Sequence, residues 1–382
     1  MEINGSYLEG GGQILRTAAA LSAITGKPCH IFNIRKNRPK PGLATQHLVG
    51  IKALNQLCNG YLEGAELNST EIKFYPSPLL VKSGEGFIPG KIAGQLFGRA
   101  QSKTLNVKIE TAGSITLVLQ GLVLPSLFSK NPTKIIFEGG ATDTFFSPTM
   151  DYFRYVFLKI LEEIGAKIEI NILKRGFYPS GGANVEVKIL PLLRQGFEGQ
   201  VCRLKNLNLA ERGNLKQIKV ISGASESLRG KKVAERQSAG VREILGKLKL
   251  PTEEKIEYYQ TQSPGSQICL IAEFSARGGS ASGGENTTFI GTDNLGRLGK
   301  PAEEVGKEAA LELLKEQKTE ACLDKHSADQ ILPYLALAEG KSHITVSEIT
   351  NHCKTNIWTI EKFLDGEFKI KGNLMSWEPK TN

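Results

Sequence analysis

Glu9-Gly-Gly-Gly-Gln-Ile-Leu-Arg16 decides the fold: three glycines lead into an apolar run that keeps helical spacing through Thr25. Downstream come a β-rich stretch from His30 to Ile34, a helix from Gly42 to Cys58 and a strand from Glu71 to Tyr75. The same alternation recurs as Gly113 to Ser129, Lys134 to Glu138, Pro148 to Gly165 and Lys167 to Leu173. It occurs a third time as Ser327 to Ala338, His343 to Val346, His352 to Leu364 and Glu367 to Ile370. Three αβαβ repeats predict an α+β main domain of three sheet-plus-two-helix units around a pseudo-threefold axis, with matching helix ends converging on a centre. Helix N-termini at such a centre favour phosphate-rich ligands, because they present free N–H groups and partial positive charge.

Residues 186–283 break the pattern and are expected to form a smaller inserted α/β domain. The main catalytic domain would then comprise 1–185 and 284–382. The insert reads as strand (Leu215 to Ile221), helix (Lys231 to Leu248) and two strands (Lys255 to Thr261, Gln267 to Phe274), ending in a Gly/Ser-rich segment, Ala276 to Gly284. A helix from Ala302 to Glu316 is expected to resume the main body. The net charge is +9, and between Arg203 and Leu250 twelve Lys or Arg face four Glu. That surplus reads either as a polyanion-facing surface or as a solvated helical face. No stretch is long and apolar enough for a membrane span, and no signal-peptide pattern opens the chain, so a cytoplasmic protein without membrane partners is expected. Six scattered cysteines without CxxC spacing argue for reduced thiols rather than disulfides or zinc.

Several motifs carry chemistry. In the first, the glycines allow close backbone approach to a ligand, Arg16 adds a fixed charge, and Glu9 offers a hard oxygen to a divalent cation. The alternative is a tight structural turn. Next, Arg35-Lys-Asn-Arg-Pro-Lys-Pro-Gly-Leu-Ala-Thr-Gln46-His47 holds Arg35 and Arg38 on a Pro-stiffened loop, suited to clamping phosphate or simply basic surface. Gln120 lies in the otherwise apolar Ala112-to-Gln120 segment and needs a polar partner there. His326-Ser-Ala-Asp-Gln330 and His352-Cys-Lys-Thr-Asn-Ile357 each put a histidine at a helix start, where a capping or surface role is the common one. No Walker A pattern is present.

In order and spacing, EGGGQILR, the Arg35-to-His47 segment, AGSITLVLQ, RGFYPSGG (Arg175 to Gly182), ADQILPYLALA and HCKTNI resemble the signature segments of the RNA 3′-terminal phosphate cyclases. The resemblance implies a main domain similar to the enolpyruvyl transferases and an insert like the C-terminal domain of a translation initiation factor. It implies ATP as co-substrate, Mg or Mn as cation, RNA with a 3′-phosphate as partner, and a covalent histidine–AMP intermediate at His352. Glu9 matches the metal-binding carboxylate, and Arg16, Arg35, Arg38, Gln46 and Gln120 match residues around phosphates. Asp329 and Gln330 match the ATP-binding pair, flanked by Ser327 and Ala328. Where bacterial members carry Tyr, this chain has His326, so the adenine would stack on an imidazole with Pro148 opposite. The glycine usual after FYPxGG is Ala183, and the GGT element reads Gly139-Gly-Ala-Thr142. The alternatives are a non-catalytic RNA-binding or ribosome-assembly relative, which would lack the histidine, and an enolpyruvyl transferase, which would need neither insert nor adenylylated histidine. Oligomeric state is not legible in the sequence.

Overall fold

The computed structural model describes the chain except residues 78, 84–85, 90–102, 193–203, 249, 277–286 and 381–382. Within that range it is a mixed α+β protein built on four four-stranded sheets and a separate two-stranded hairpin.

The first sheet forms from β1 (Glu2–Asn4), β2 (Cys29–Phe32), β3 (Tyr61–Glu63) and β4 (Ile72–Tyr75), with α1 (Gly12–Thr25) and α2 (Thr45–Cys58) between strands; the hairpin β5 (Leu80–Ser83) and β6 (Gly86–Pro89) follows. The second contains β7 (Lys103–Ser114), α3 (Ile115–Leu127), β8 (Thr133–Ala141), a helical segment, β9 (Lys167–Lys174) and β10 (Asn184–Leu190). Its helical segment is α4 (Met150–Tyr152), a π-helical turn (Phe153–Phe157) and α5 (Leu158–Glu163). The third begins with β11 (Asn208–Leu209), after which the chain leaves to build the fourth sheet.

That fourth sheet holds β12 (Arg212–Ser225), α6 (Val233–Leu245), β13 (Thr252–Tyr259), β14 (Ser266–Ala276), β15 (Thr287–Leu295) and α7 (Ala302–Lys318). The third unit then closes with α8 (Lys325–Leu337), β16 (Ser342–Thr345), α9 (Asn351–Phe363), β17 (Gly366–Lys371) and β18 (Leu374–Pro379).

Sheets one to three share one order: β1-β2-β4-β3, β7-β8-β10-β9 and β11-β16-β18-β17. In each, the first pair is parallel and the others antiparallel. Each unit therefore has four strands where periodicity located two. The missed ones are short, edge-placed or polar on alternate positions, as in Asn184–Leu190, where every second residue is buried.

Strand pairing corrects the expected boundaries of the insert. Residues 186–190 belong to β10, which pairs with both β8 and β9. Asn208 and Leu209 pair with β16 of the third sheet. At the far end, β15 pairs with β14, and α7 contributes Val305, Ala309, Ala310 and Leu313 to a second hydrophobic core with Val241 and Leu245 of α6. The Ala302 helix thus completes the insert instead of resuming the main body. The reason is two-sided burial: along β14, Ile268, Leu270 and Ala272 face α6 and α7, while Cys269 and Ile271 alternate into the main core.

The expected basic surplus changes meaning with those boundaries. From Arg212 to Lys318 there are seventeen Lys or Arg against fourteen Asp or Glu. Arg229 pairs with Glu226, Arg236 with Glu303 and Arg242 with Glu254. Arg203, Lys249, Cys202 and most of the Ala276-to-Gly284 segment lie outside the described residues. The other five cysteines are free and buried. Among the described residues no helix is long and apolar enough to cross a membrane.

The RGFYPSGG segment forms a joint between the two cores. Arg175 is buried and bonded to Asp151 at 2.7 and 2.8 Å and to Asp143 at 3.2 Å. Gln267 of the insert donates to the same Asp151 at 2.8 Å, and Ser180 N–H donates to Ser263 Oγ at 3.0 Å.

Candidate active site

Helix α9 starts at a capped end: Thr350 Oγ1 accepts from Cys353 N–H at 3.1 Å. His352, in its first turn, is held from two sides. Its Nδ1 lies 3.2 Å from Asp329 Oδ2 on α8, and its Nε2 lies 2.7 Å from Glu9 Oε2 in the loop before α1. The Asp329 hydrogen bond, assisted by the Asp329 and Glu9 charges, raises the His352 pKa against the opposing effects of burial and Arg16. The two carboxylates thus shift the ring toward its protonated form relative to a free imidazole.

Arg38 reaches the same Glu9 oxygen at 3.6 Å. Arg16, on α1, is brought down to a pKa of about 10 by burial, with Asp329 opposing, and so remains cationic at neutral pH. Glu9, Arg16, Arg38, Asp329 and His352 therefore form one cluster, drawn from the first and third units. Asn356 ties the elements together, donating to the Asp329 carbonyl at 2.8 Å and accepting from Thr17 at 2.9 Å.

The glycine turn is required sterically. Gly10 has φ of +58°, in the left-handed region, and a Cβ on Gly12 would come within 2.1 Å of His47 Nε2. Helix α1 has no side-chain cap, so its first N–H groups are left for a ligand.

Gln120 finds the partner its apolar surroundings demanded, donating to Gln330 Oε1 at 2.8 Å, while Gln330 donates to the His326 carbonyl at 2.7 Å. Gln120, Gln330, Arg16 and Asp329 line a small cavity of about 40 Å³. Gln46 accepts from Ser114 N–H at 2.9 Å, at the start of α3. Arg35 is turned back on its own loop, donating to the Gly42 carbonyl at 2.9 Å, with φ of +53°.

His326 is exposed and lies edge-on to Tyr152, with ring centroids 6.4 Å apart. Ser327 and Ala328 are buried in the first turn of α8, where Asp324 caps the N–H groups of His326 and Ser327 at 2.9 Å each. The Pro148 carbonyl accepts from Thr116 at 2.8 Å. Among the described residues no hydrogen bond joins Pro148, His326, Ser327 or Ala328 to the His352 cluster; the His326 carbonyl accepts from Gln330, which lines the small cavity with Arg16 and Asp329.

Two residues inside the quoted motifs were not singled out. Gln13 is buried with its Nε2 unpartnered, and His47 is buried with its Nδ1 unpartnered, its pKa lowered to about 3 by burial and then by Arg16 and Arg35. Asp324 was missed too, although it binds Tyr152 at 2.5 Å and Gly291 N–H at 3.0 Å as well as capping α8. Its signal was an Asp directly ahead of a helix.

Two carboxylates, two arginines and a histidine converge beside a helix start without a side-chain cap, an arrangement chemically suited to phosphate, with His352 as a candidate nucleophile. A family model described as RNA 3′-terminal phosphate cyclase matches residues 7–370. Curated relatives called RNA 3′-terminal phosphate cyclase are similar over almost the whole length. The one from Pyrococcus furiosus is 43% identical, covering 97% of this chain and 95% of its own; that from Methanopyrus kandleri is 40% identical over 100% and 97%; that from Archaeoglobus fulgidus is 40% identical over 98% of each. The chain belongs to the RNA 3′-terminal phosphate cyclase family.

Proposed function

We propose that this chain cyclises RNA 3′-phosphates at the expense of ATP, with His352 as the nucleophile. The observation that carries this reading is His352 held between Asp329 and Glu9 at the start of α9, with Arg16 and Arg38 alongside. Asp329 at Nδ1 fixes the ring and leaves Nε2 as the attacking atom. Attack requires Nε2 to give its proton to the Glu9 carboxylate, which turns away and releases it to solvent. The Nε2 lone pair forms a bond to the α-phosphorus of ATP as the P–O bond to the β-phosphate breaks, and pyrophosphate leaves. Arg16, Arg38 and the uncapped α1 N–H groups meet the growing negative charge. Gln13 Nε2 supplies a further buried donor.

The AMP passes from His352 to an oxygen of the RNA 3′-phosphate, giving an anhydride. The neighbouring 2′-OH then attacks the RNA phosphorus, loses its proton to solvent, and AMP leaves. Intramolecular proximity makes this last step favourable with little base assistance. His326 and Pro148 would take the adenine, and Ser327, Ala328, Asp329 and Gln330 would form that side of the nucleotide site. Arg35 and Gln46 would stiffen the phosphate side. Glu9 fits a hard cation such as Mg or Mn, which binds through one or two carboxylates plus substrate phosphates and neutralises their charge. A cytoplasmic location agrees with five free buried cysteines.

Incubation with α-labelled ATP followed by denaturing electrophoresis tests the reading. Label on the wild type, labile to acid and absent from His352→Ala, is expected. Undiminished label in that variant would sink it.

A further inference from the structure

A cavity of about 420 Å³ lies away from His352, lined by the second sheet, the π-helical turn and the insert. Its two walls are edge strands, β9 of the second sheet and β13 of the insert. None of the residues gathered around His352 lines it. The volume is within the range of small-ligand sites and admits one nucleotide.

Its charges are unevenly satisfied. Asp151 is consumed by Arg175 and Gln267, and Glu257 by Lys255 at 2.7 Å and the Tyr259 hydroxyl at 2.6 Å. Arg154 and Lys174 also line the cavity, and among the described residues neither has a carboxylate partner. The Arg154 guanidinium stands 5.0 Å from the centre of the Tyr155 ring, and the Lys219 ammonium stands 5.4 Å from it. Ile172, Ile221 and the ring of Tyr155 supply apolar wall. The Arg154–Tyr155 pair reaches the cavity on a π-helical turn, Phe153–Phe157, and such turns cost helix regularity and concentrate at functional positions. Unspent cations beside aromatic and aliphatic surface suit a single-stranded nucleic acid, whose phosphate takes the charge and whose base takes the wall. An extended peptide would use the free strand edges but would leave both cations unanswered.

We propose that this cleft binds an RNA nucleotide upstream of the reacting end, with Arg154 and Lys174 on its phosphate. The inference rests on the chain acting on RNA ends. It also gives the insert a purpose: β13 forms one wall, so strand binding depends on the joint built by Arg175.

The test is Arg154→Glu/Lys174→Glu, checked for its melting midpoint, with Arg154→Lys/Lys174→Arg as the charge-retaining control. Affinity for 3′-phosphorylated oligonucleotides of increasing length is read by fluorescence anisotropy across a salt series. His352 labelling from α-labelled ATP without RNA is measured in parallel, so failure of the adenylylation reading is seen separately, in the wild type. The charge reversal should weaken long RNA at least tenfold, spare a dinucleotide, and lower the log–log salt slope by about 0.7, the value for one single-strand phosphate. The control and the labelling should match wild type. Wild-type affinity and slope in the reversed variant would overturn the proposal. So would equal weakening of the dinucleotide, loss of labelling, competition by a strand-forming peptide in place of RNA, or a loss confined to free AMP or ATP, which would assign a mononucleotide site.

Discussion

Two clusters of arginines and carboxylates sit in this molecule and do opposite things. Around Arg175 the charges are matched and buried: two aspartates bond the guanidinium, Gln267 donates to one of them, and the face of Tyr259 lies 4.5 Å from it. Around His352 the groups are only part-buried, Arg38 stands 3.6 Å from Glu9, and Gln13 and His47 each keep an unpartnered nitrogen. A buried, charge-balanced network fixes relative positions, whereas a half-exposed one beside a helix start is free to exchange partners with a ligand. Charge alone does not separate structure from chemistry; exposure of the charged groups does.

The largest stability effect should therefore fall on the buried cluster. Arg175→Met leaves Asp143 and Asp151 buried without their cation and should cost about 3–5 kcal/mol in urea unfolding. A loss below about 1 kcal/mol would erase the contrast. Next is the buried imidazole of His47. Its folded pKa is about 3 and its unfolded value about 6.5, so between those limits the unfolded chain binds the extra proton. Its contribution is complete above pH 6.5 and declines as pH falls, by about 1.4 kcal/mol per unit, or about 2 kcal/mol at pH 5. Unfolding of the wild type and His47→Asn at pH 7 and pH 5 should show the variant losing less on acidification.

Thr350→Ala removes the cap ahead of His352 and should cost about 1 kcal/mol, with slower labelling because the ring sits in that first turn. A stability loss with unchanged labelling would separate the cap from the nucleophile. The smallest stability change belongs to the open cluster itself. Glu9→Gln should shift unfolding by no more than about 0.5 kcal/mol while slowing labelling about a hundredfold. Labelling at the wild-type rate would make the glycine turn structural only.

Helices were the legible part of the fold. Residues such as Ile14, Leu21 and Ile24, or Leu119 and Leu122, repeat at helical spacing and are fully buried, so period and burial agree. Strands such as β3 and β11 were not, because two or three residues offer too few alternations to read. The end of the insert was misjudged for a different reason. Ala302–Lys318 has the amphipathic pattern of any covering helix, and nothing in that pattern names the sheet it covers. At the site, Glu9, Arg16, Arg38, Asp329 and His352 were legible from their segments, and the structure gathers them. Arg35 and Gln46 were legible as polar groups, but their observed partners, the Gly42 carbonyl and Ser114 N–H, come from chain reversals that spacing does not encode. His47 was hidden because its importance lies in having no partner.

The insert leaves after Leu209 and returns before Lys325, and its two ends meet where Arg212 donates to the carbonyls of Gln317 and Ala321. During synthesis at about 5–20 residues per second, β11 emerges roughly 7–27 seconds before its partner β16 exists. The insert has its own core and can fold in that interval, and once its stem closes, α8 is delivered beside the waiting strand. The ribosome therefore makes the half of the site carrying Glu9 and Arg16 first and the half carrying Asp329 and His352 last, so the cluster around His352 cannot assemble before α9 has emerged.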